Sequence, residues 1–108
     1  MSADNNNHLL NLIDVTLGFV KDKAFHDALI RIQEAQREYL CAEADAKRGK
    51  ERSIINAMAK LDIETTKLKF EYRRIQPVLS SGAQIHFDKL FDSLQAQRER
   101  LVQEKKIG

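Results

Sequence analysis

The chain of 108 residues has no tryptophan, one proline, one cysteine and four glycines. Each scarcity removes a class of structure. A compact β or α/β domain needs a turn residue every few positions, and this composition does not supply them. Cys41, the single cysteine, allows no internal disulfide, and a lone Cys on a helical pattern reads as a reduced cytosolic thiol. No apolar run approaches the ~20 residues that a membrane span needs. Residues 1–7 are polar, without a basic segment leading into an apolar one. They read as a disordered tail and not as a signal peptide. What is plentiful is helix formers: Ala, Leu, Glu, Gln, Lys and Arg make up about half of the chain. The expectation is a cytoplasmic all-α protein with one helical domain over residues 8–106.

The strongest pattern lies in Ile54 to Leu79. Ile54, Met58, Leu61, Thr65, Leu68, Tyr72, Ile75 and Leu79 follow steps of four and three without a slip. This predicts a long amphipathic helix over about 51–76 with a narrow, coiled-coil-like seam. Gln76-Pro77 ends or kinks it, because the residue before proline is pushed out of the α region.

The segment before it carries a second seam, Phe25, Ala28, Ile32, Ala35, Tyr39, Ala42 and Ala46, predicting a helix over 23–48. Every second member is alanine, so another helix can approach closely. Extending this seam past Ala46 lands on Gly49, Ser53, Asn56 and Lys60. The phase break predicts a turn at 47–53, with Gly49 at a left-handed C-cap and Ser53 available to cap the next helix. Together the two helices form a central antiparallel hairpin.

An apolar stripe of Leu9, Leu10, Ile13, Leu17 and Val20 predicts a first helix over 8–20. Gly18 and Lys21-Asp22-Lys23 favour a kink near 18–23, although the apolar series runs on through it. Ser80-Ser81-Gly82 reads as a loop. Phe87, Leu90, Phe91, Leu94 and Leu101 predict a last helix over 83–105, whose stripe weakens at Gln97 and Arg98. The fold expected is an elongated antiparallel bundle of three to four helices built on the hairpin.

Few of the chemistry-bearing residues stand at a usable spacing. His8, His26 and His86 form no His-x-x-x-His pair, and the paired Glu-x-x-His ligands of di-iron bundles are missing. Asp22 and His26, four apart, read as an exposed carboxylate–imidazole pair. Cys41 and His26 are fifteen residues apart on one helix, about 22 Å, so they do not meet. Ser80-Ser81-Gly82 lacks the glycines of a phosphate loop or nucleophile elbow. No enzyme activity and no metal or cofactor site are expected. A small all-α enzyme with its site between protomers is the least favoured reading.

Charge is uneven. Residues 1–46 hold four basic and eight acidic side chains, and residues 47–108 hold fourteen basic and eight acidic. Lys47, Arg48, Lys50 and Arg52 cluster at the turn, and Arg73 and Arg74 follow further on. They are candidates for an anion or nucleic-acid contact, diluted by interleaved acids. The leading expectation is a non-catalytic interaction protein of adaptor, scaffold, chaperone or inhibitor/immunity type. It would act through helix–helix contacts, as a homodimer or on another protein. The candidate contact residues are Leu9, Leu12, Phe19, Leu68, Tyr72, Phe87 and Phe91, either along the seam or as apolar surface left over on a protomer.

Overall fold

Asp22 decides where the first helix gives way to the second. A computed structural model of the chain describes residues 2–105. Helix α1 spans Ser2–Phe19, and α2 spans Lys23–Ala46. Asp22 has extended backbone and is the N-cap of α2, its carboxylate accepting the Phe25 N–H at 3.0 Å. The chain reverses here. The Gln33 amide donates to Asp14 at 3.1 Å, which places α1 antiparallel beside α2, so the expected kink is a full hairpin. Residues 2–7, read as a tail ahead of the domain, continue α1 towards the N-terminus.

Arg74 reaches back to the same carboxylate at 2.6 Å. Arg74 first, and then the Phe25 N–H, hold the Asp22 carboxyl below its ordinary 3.8. A depressed carboxyl contributes stability that is present above pH 3.8 and lost as pH falls through the lower folded value. Asp22→Ala is expected to lower the melting temperature at neutral pH by a few degrees. Asp22→Asn keeps the cap and should recover most of that loss, leaving a smaller acid sensitivity than the wild type. Thermal melts of the three proteins between pH 2 and pH 7 check this.

The second reversal is the expected one. Gly49 has φ +96°, its N–H donates to Ala46 C=O at 3.0 Å, and the Lys50 N–H donates to Asp45 C=O at 3.1 Å. That pair of bonds is a Schellman closure, which needs a residue at positive φ and so uses glycine. Helix α3 runs Glu51–Ile75, with Lys50 at its N-cap and no side-chain bond there; Ser53 lies inside the first turn and does not cap it. At Gln76–Val78 the chain tightens into a 3-10 turn around Pro77. Helix α4 follows at Ser81–Lys105. The Ser80 hydroxyl accepts the Ala83 N–H at 3.2 Å, so Ser80-Ser81-Gly82 is a helix start and not the expected loop.

Side-chain bonds between helices set the order of the bundle. Lys60 pairs with Glu38 at 2.8 Å, joining α3 to α2. Arg98 pairs with Asp62 at 3.0 Å, joining α4 to α3. The Thr16 hydroxyl meets His86 Nε2 at 2.6 Å, joining α1 to α4. Successive helices are antiparallel, giving an up-down-up-down four-helix bundle with α2 and α4 on one diagonal. Among the described residues there is no strand. The extents are 45 × 25 × 21 Å, so the molecule is elongated as the helix lengths require.

Packing differs around the bundle because side-chain size differs. Ala28, Ala35 and Ala42 are buried, and α2 and α3 pack most closely, in keeping with the alanine seam. Where the start of α2 and the end of α3 meet α4, the space is filled by aromatic rings. Phe25 and Phe87 lie 5.0 Å apart, Tyr72 and Phe87 5.1 Å, and Tyr72 and Phe91 5.6 Å. In the middle of the core, across the diagonal, Gln36 and Gln97 exchange two amide hydrogen bonds of 2.8 Å each. Both are buried. The weakening of the α4 stripe at Gln97 is therefore a polar layer of the core and not a place where the helix leaves it. Leu101, one turn further on, is also buried.

Candidate partner-binding face

The seam and its neighbours take up most of the side chains expected to meet a partner. Leu9, Leu68, Tyr72 and Phe87 are buried in the protomer's own core, and Leu12 and Phe91 are partly buried against it. Their burial has a geometric cause. Helix α4 is as long as the arms of the hairpin and α1 covers about three quarters of their length, so these side chains are taken up in the protomer's own core. Only Phe19 keeps substantial exposure, at 41%, with its ring 5.0 Å from His86 and 5.8 Å from Phe87.

The cations do not form one patch either. Lys47, Arg48, Lys50 and Arg52 are exposed at one end of the molecule. Arg73 and Arg74 lie some twenty residues further along α3, about 31 Å away for Arg52 to Arg73. Arg74 is committed to Asp22 and Glu71, and Arg48 lies 3.9 Å from Asp45. Lys60, Lys67 and Arg74 are spaced by seven beside the inner seam; Lys60 bridges to α2 and Arg74 to the Asp22 cap of α2, as flanking charges usually do.

His86 and the hydroxyls of Thr16 and Thr65 are occupied in structural roles. Thr16 gives its proton to the Leu12 carbonyl at 2.6 Å, so His86 Nε2–H is the donor to Thr16. Thr65 donates to the Leu61 carbonyl at 2.7 Å, inside its own helix. Asp22, the candidate partner of His26, serves the cap and Arg74. Among the described residues no three His, Cys, Asp or Glu side chains gather in one place. Cys41 is exposed in the groove between α2 and α3, near Arg37 and Lys60.

Two tyrosines mark the ends of the core. Burial first, and then Glu43, push the Tyr39 phenol up to about 12. Tyr72 is also raised, by burial and then by Asp88, and its hydroxyl is buried without a hydrogen-bond partner. A raised phenol keeps its neutral form in the fold. The associated stability is full below pH 10.0 and is lost as pH rises towards about 12. Ultraviolet titration should show no native phenolate from Tyr39 at pH 10.5. Tyr72→Phe removes an unpaired buried hydroxyl and is expected to leave stability unchanged or raise it by up to about 1 kcal/mol, read by denaturant titration.

A different face is left over, and it sits on α3. The helix carries a second stripe one or two residues out of phase with the seam: Arg52, Ile55, Ala59, Ile63, Thr66, Phe70 and Arg73, in steps of three and four. Ile55 is 45% exposed, Ile63 56% and Phe70 72%. Lys60 and Arg74 point to α2, while Asp62 and Lys69 point to α4, where the Lys69 ammonium lies over the Phe91 ring. Ile55 and Ile63 are therefore on the side turned away from both neighbours, while Phe70 stands at the α2 edge of the stripe, beside Asp27 and Arg31. From Ile55 to Phe70 the stripe is about 22 Å long. The signal was present in the periodicity, but Phe70 reads first as an aromatic among cations, and Ile55 and Ile63 as neighbours of the seam.

Compared with known protein families, curated proteins and solved structures, the chain matches none. Among the described residues, no helix is long and apolar enough to cross a membrane.

Proposed function

We propose that this protein is a non-catalytic helical interaction module of adaptor, scaffold, chaperone or inhibitor type, and that the outer stripe of α3 is its contact face. The observation that carries this reading is the exposure of Ile55, Ile63 and Phe70 in helical register on a helix whose other face is fully packed. Three large apolar side chains aligned on one line are costly to hydrate and are the usual mark of a helix-in-groove or helix–helix contact. Homodimerisation through the residues first expected for it loses its support, since most of them lie inside the protomer. A homodimer would have to use this α3 face instead.

The test is photo-crosslinking in the native cell, with a photoreactive residue at Phe70 and, as a control, at exposed Lys89 on α4. A protein captured from position 70 and not from position 89 is expected. Ile63→Glu/Phe70→Glu should weaken binding of that protein at least about 100-fold, as for a pair of central apolar anchors. Equal capture from both positions, or binding unchanged in the double variant, removes the face from the proposal.

A second reading rests on the exposed cations Lys47, Arg48, Lys50 and Arg52 at the α2–α3 turn, which suit an anionic polymer. Mobility-shift titrations with duplex and single-stranded probes at low and moderate salt decide it. Binding that weakens steeply with salt, and weakens further in Lys47→Ala/Arg48→Ala/Lys50→Ala, favours that reading. No shift at low salt eliminates it.

A further inference from the structure

From the charges that bracket the α3 stripe we infer the partner's chemistry: an amphipathic helix of another protein with acidic residues at both ends of its apolar face. This rests on the reading of the stripe as a contact face. Arg52 and Arg73 stand three residues beyond Ile55 and Phe70, on the same line of the helix, and both are exposed. Neither has an ion-pair partner among the described residues, unlike Lys60, Arg74 and Arg98. Lys67, beside the stripe, is likewise exposed and without one. The face is thus an apolar line about 22 Å long between two available guanidiniums about 31 Å apart.

The geometry of the line favours a helix as occupant. Ala59 and Thr66 alternate with Ile55, Ile63 and Phe70, which leaves two shallow positions between three ridges. That alternation seats the side chains of a second helix, as the alanines of α2 do inside the bundle. Carboxylates at the ends of the incoming helix would meet the Arg forks, which bind carboxylates bidentately.

The same charges weigh against a second copy. Antiparallel pairing of two α3 faces sets Arg52 over the partner copy's Arg73, and parallel pairing sets Arg52 over Arg52. Both juxtapose like charges at each end of a dry contact. A nucleic acid would meet the two arginines but would leave the isoleucines and Phe70 without an apolar partner, and an anionic membrane surface would bury those side chains but gain nothing from the holes at Ala59 and Thr66.

The experiment is a selection of displayed helices, about 20 residues long, against the full chain. The apolar stripe of the library is constant, and acidic, basic and neutral residues are randomised in its first and last turns. Enriched helices are expected to carry Asp or Glu at both ends. They should bind at least about tenfold more weakly to Arg52→Glu/Arg73→Glu than to the wild type. Selection on that variant should return Lys and Arg at the same places. Since Arg52, Arg73 and Phe70 are exposed, the variants keep the bundle, which a melting curve verifies.

Enrichment that depends on Phe70 but shows no charge preference, or prefers basic ends, overturns the acidic partner and leaves the contact face standing. No enrichment on the wild type overturns both. A dimer seen by light scattering and dissolved by Phe70→Glu assigns the face to a second copy and overturns the inference. Binding to phosphatidylserine vesicles that is abolished by Phe70→Glu assigns it to a membrane surface, with the same consequence.

Discussion

Leu68→Asp is expected to unfold the bundle. Leu68 has no exposed surface and lies in the middle of the α3 seam. The substitution forfeits the burial of a leucine side chain, about 2 kcal/mol. It also places a carboxylate where the described residues offer no cation, and burying such a charge without a partner costs several kcal/mol more. The sum, about 5 kcal/mol or more, is comparable with the whole stability of a domain of this size. Circular dichroism should show the folded population lost or the melting temperature lowered by at least about 20 °C. Leu68→Met conserves volume and should cost less than about 1.5 kcal/mol. If Leu68→Asp melts like the wild type, the helix is not packed by this face.

The second large effect is expected at the Gln36–Gln97 layer, and its sign depends on whether one or both residues change. Gln97→Met leaves the Gln36 amide buried without either of its 2.8 Å bonds, and Gln36→Met does the same to Gln97. Each single variant should lose about 1–3 kcal/mol, the cost of a desolvated amide with no partner. Gln36→Met/Gln97→Met replaces both amides with apolar groups of similar length. It should fall within about 1 kcal/mol of the wild type or exceed it. Denaturant titration of the four proteins closes the cycle, and additive losses in the double variant would show that the two amides do not act as a pair. A polar layer within an apolar core holds α4 in one register against α2, because sliding by a turn would bury both amides unpaired. The double variant is therefore expected to show broader amide resonances than the wild type even where it melts higher.

The seam, the hairpin and its turn were legible because they rest on local chemistry. A 3.6-residue repeat forces Ile54, Met58, Leu61 and Leu68 onto one side of any helix they form. Gly49 is the residue that tolerates the positive φ of a Schellman closure. Two features misled. Ser80-Ser81-Gly82 resembles a loop by composition, but a serine hydroxyl that caps the Ala83 N–H starts a helix equally well. Gln97 looked like the end of a stripe because its partner, Gln36, lies 61 residues away on a diagonal helix. Similarly, Asp22 is an ordinary break residue until Phe25 and Arg74 are seen to converge on it.

Composition and periodicity by themselves determined that this chain is all-α, that about 23–48 and 51–76 form a hairpin, and that alanines let its arms approach. These are properties of one helix or of neighbours in sequence. The tertiary structure decided how α1 and α4 close over the hairpin, and hence which apolar residues remain outside. Leu9 and Phe87 were indistinguishable from Ile63 and Phe70 by residue type. Exposure separates them, and exposure depends on which helices occupy the two sides of α3. Hydrophobicity marks a side chain that gains by leaving water, but only the arrangement of all four helices determines whether its own chain supplies the cover.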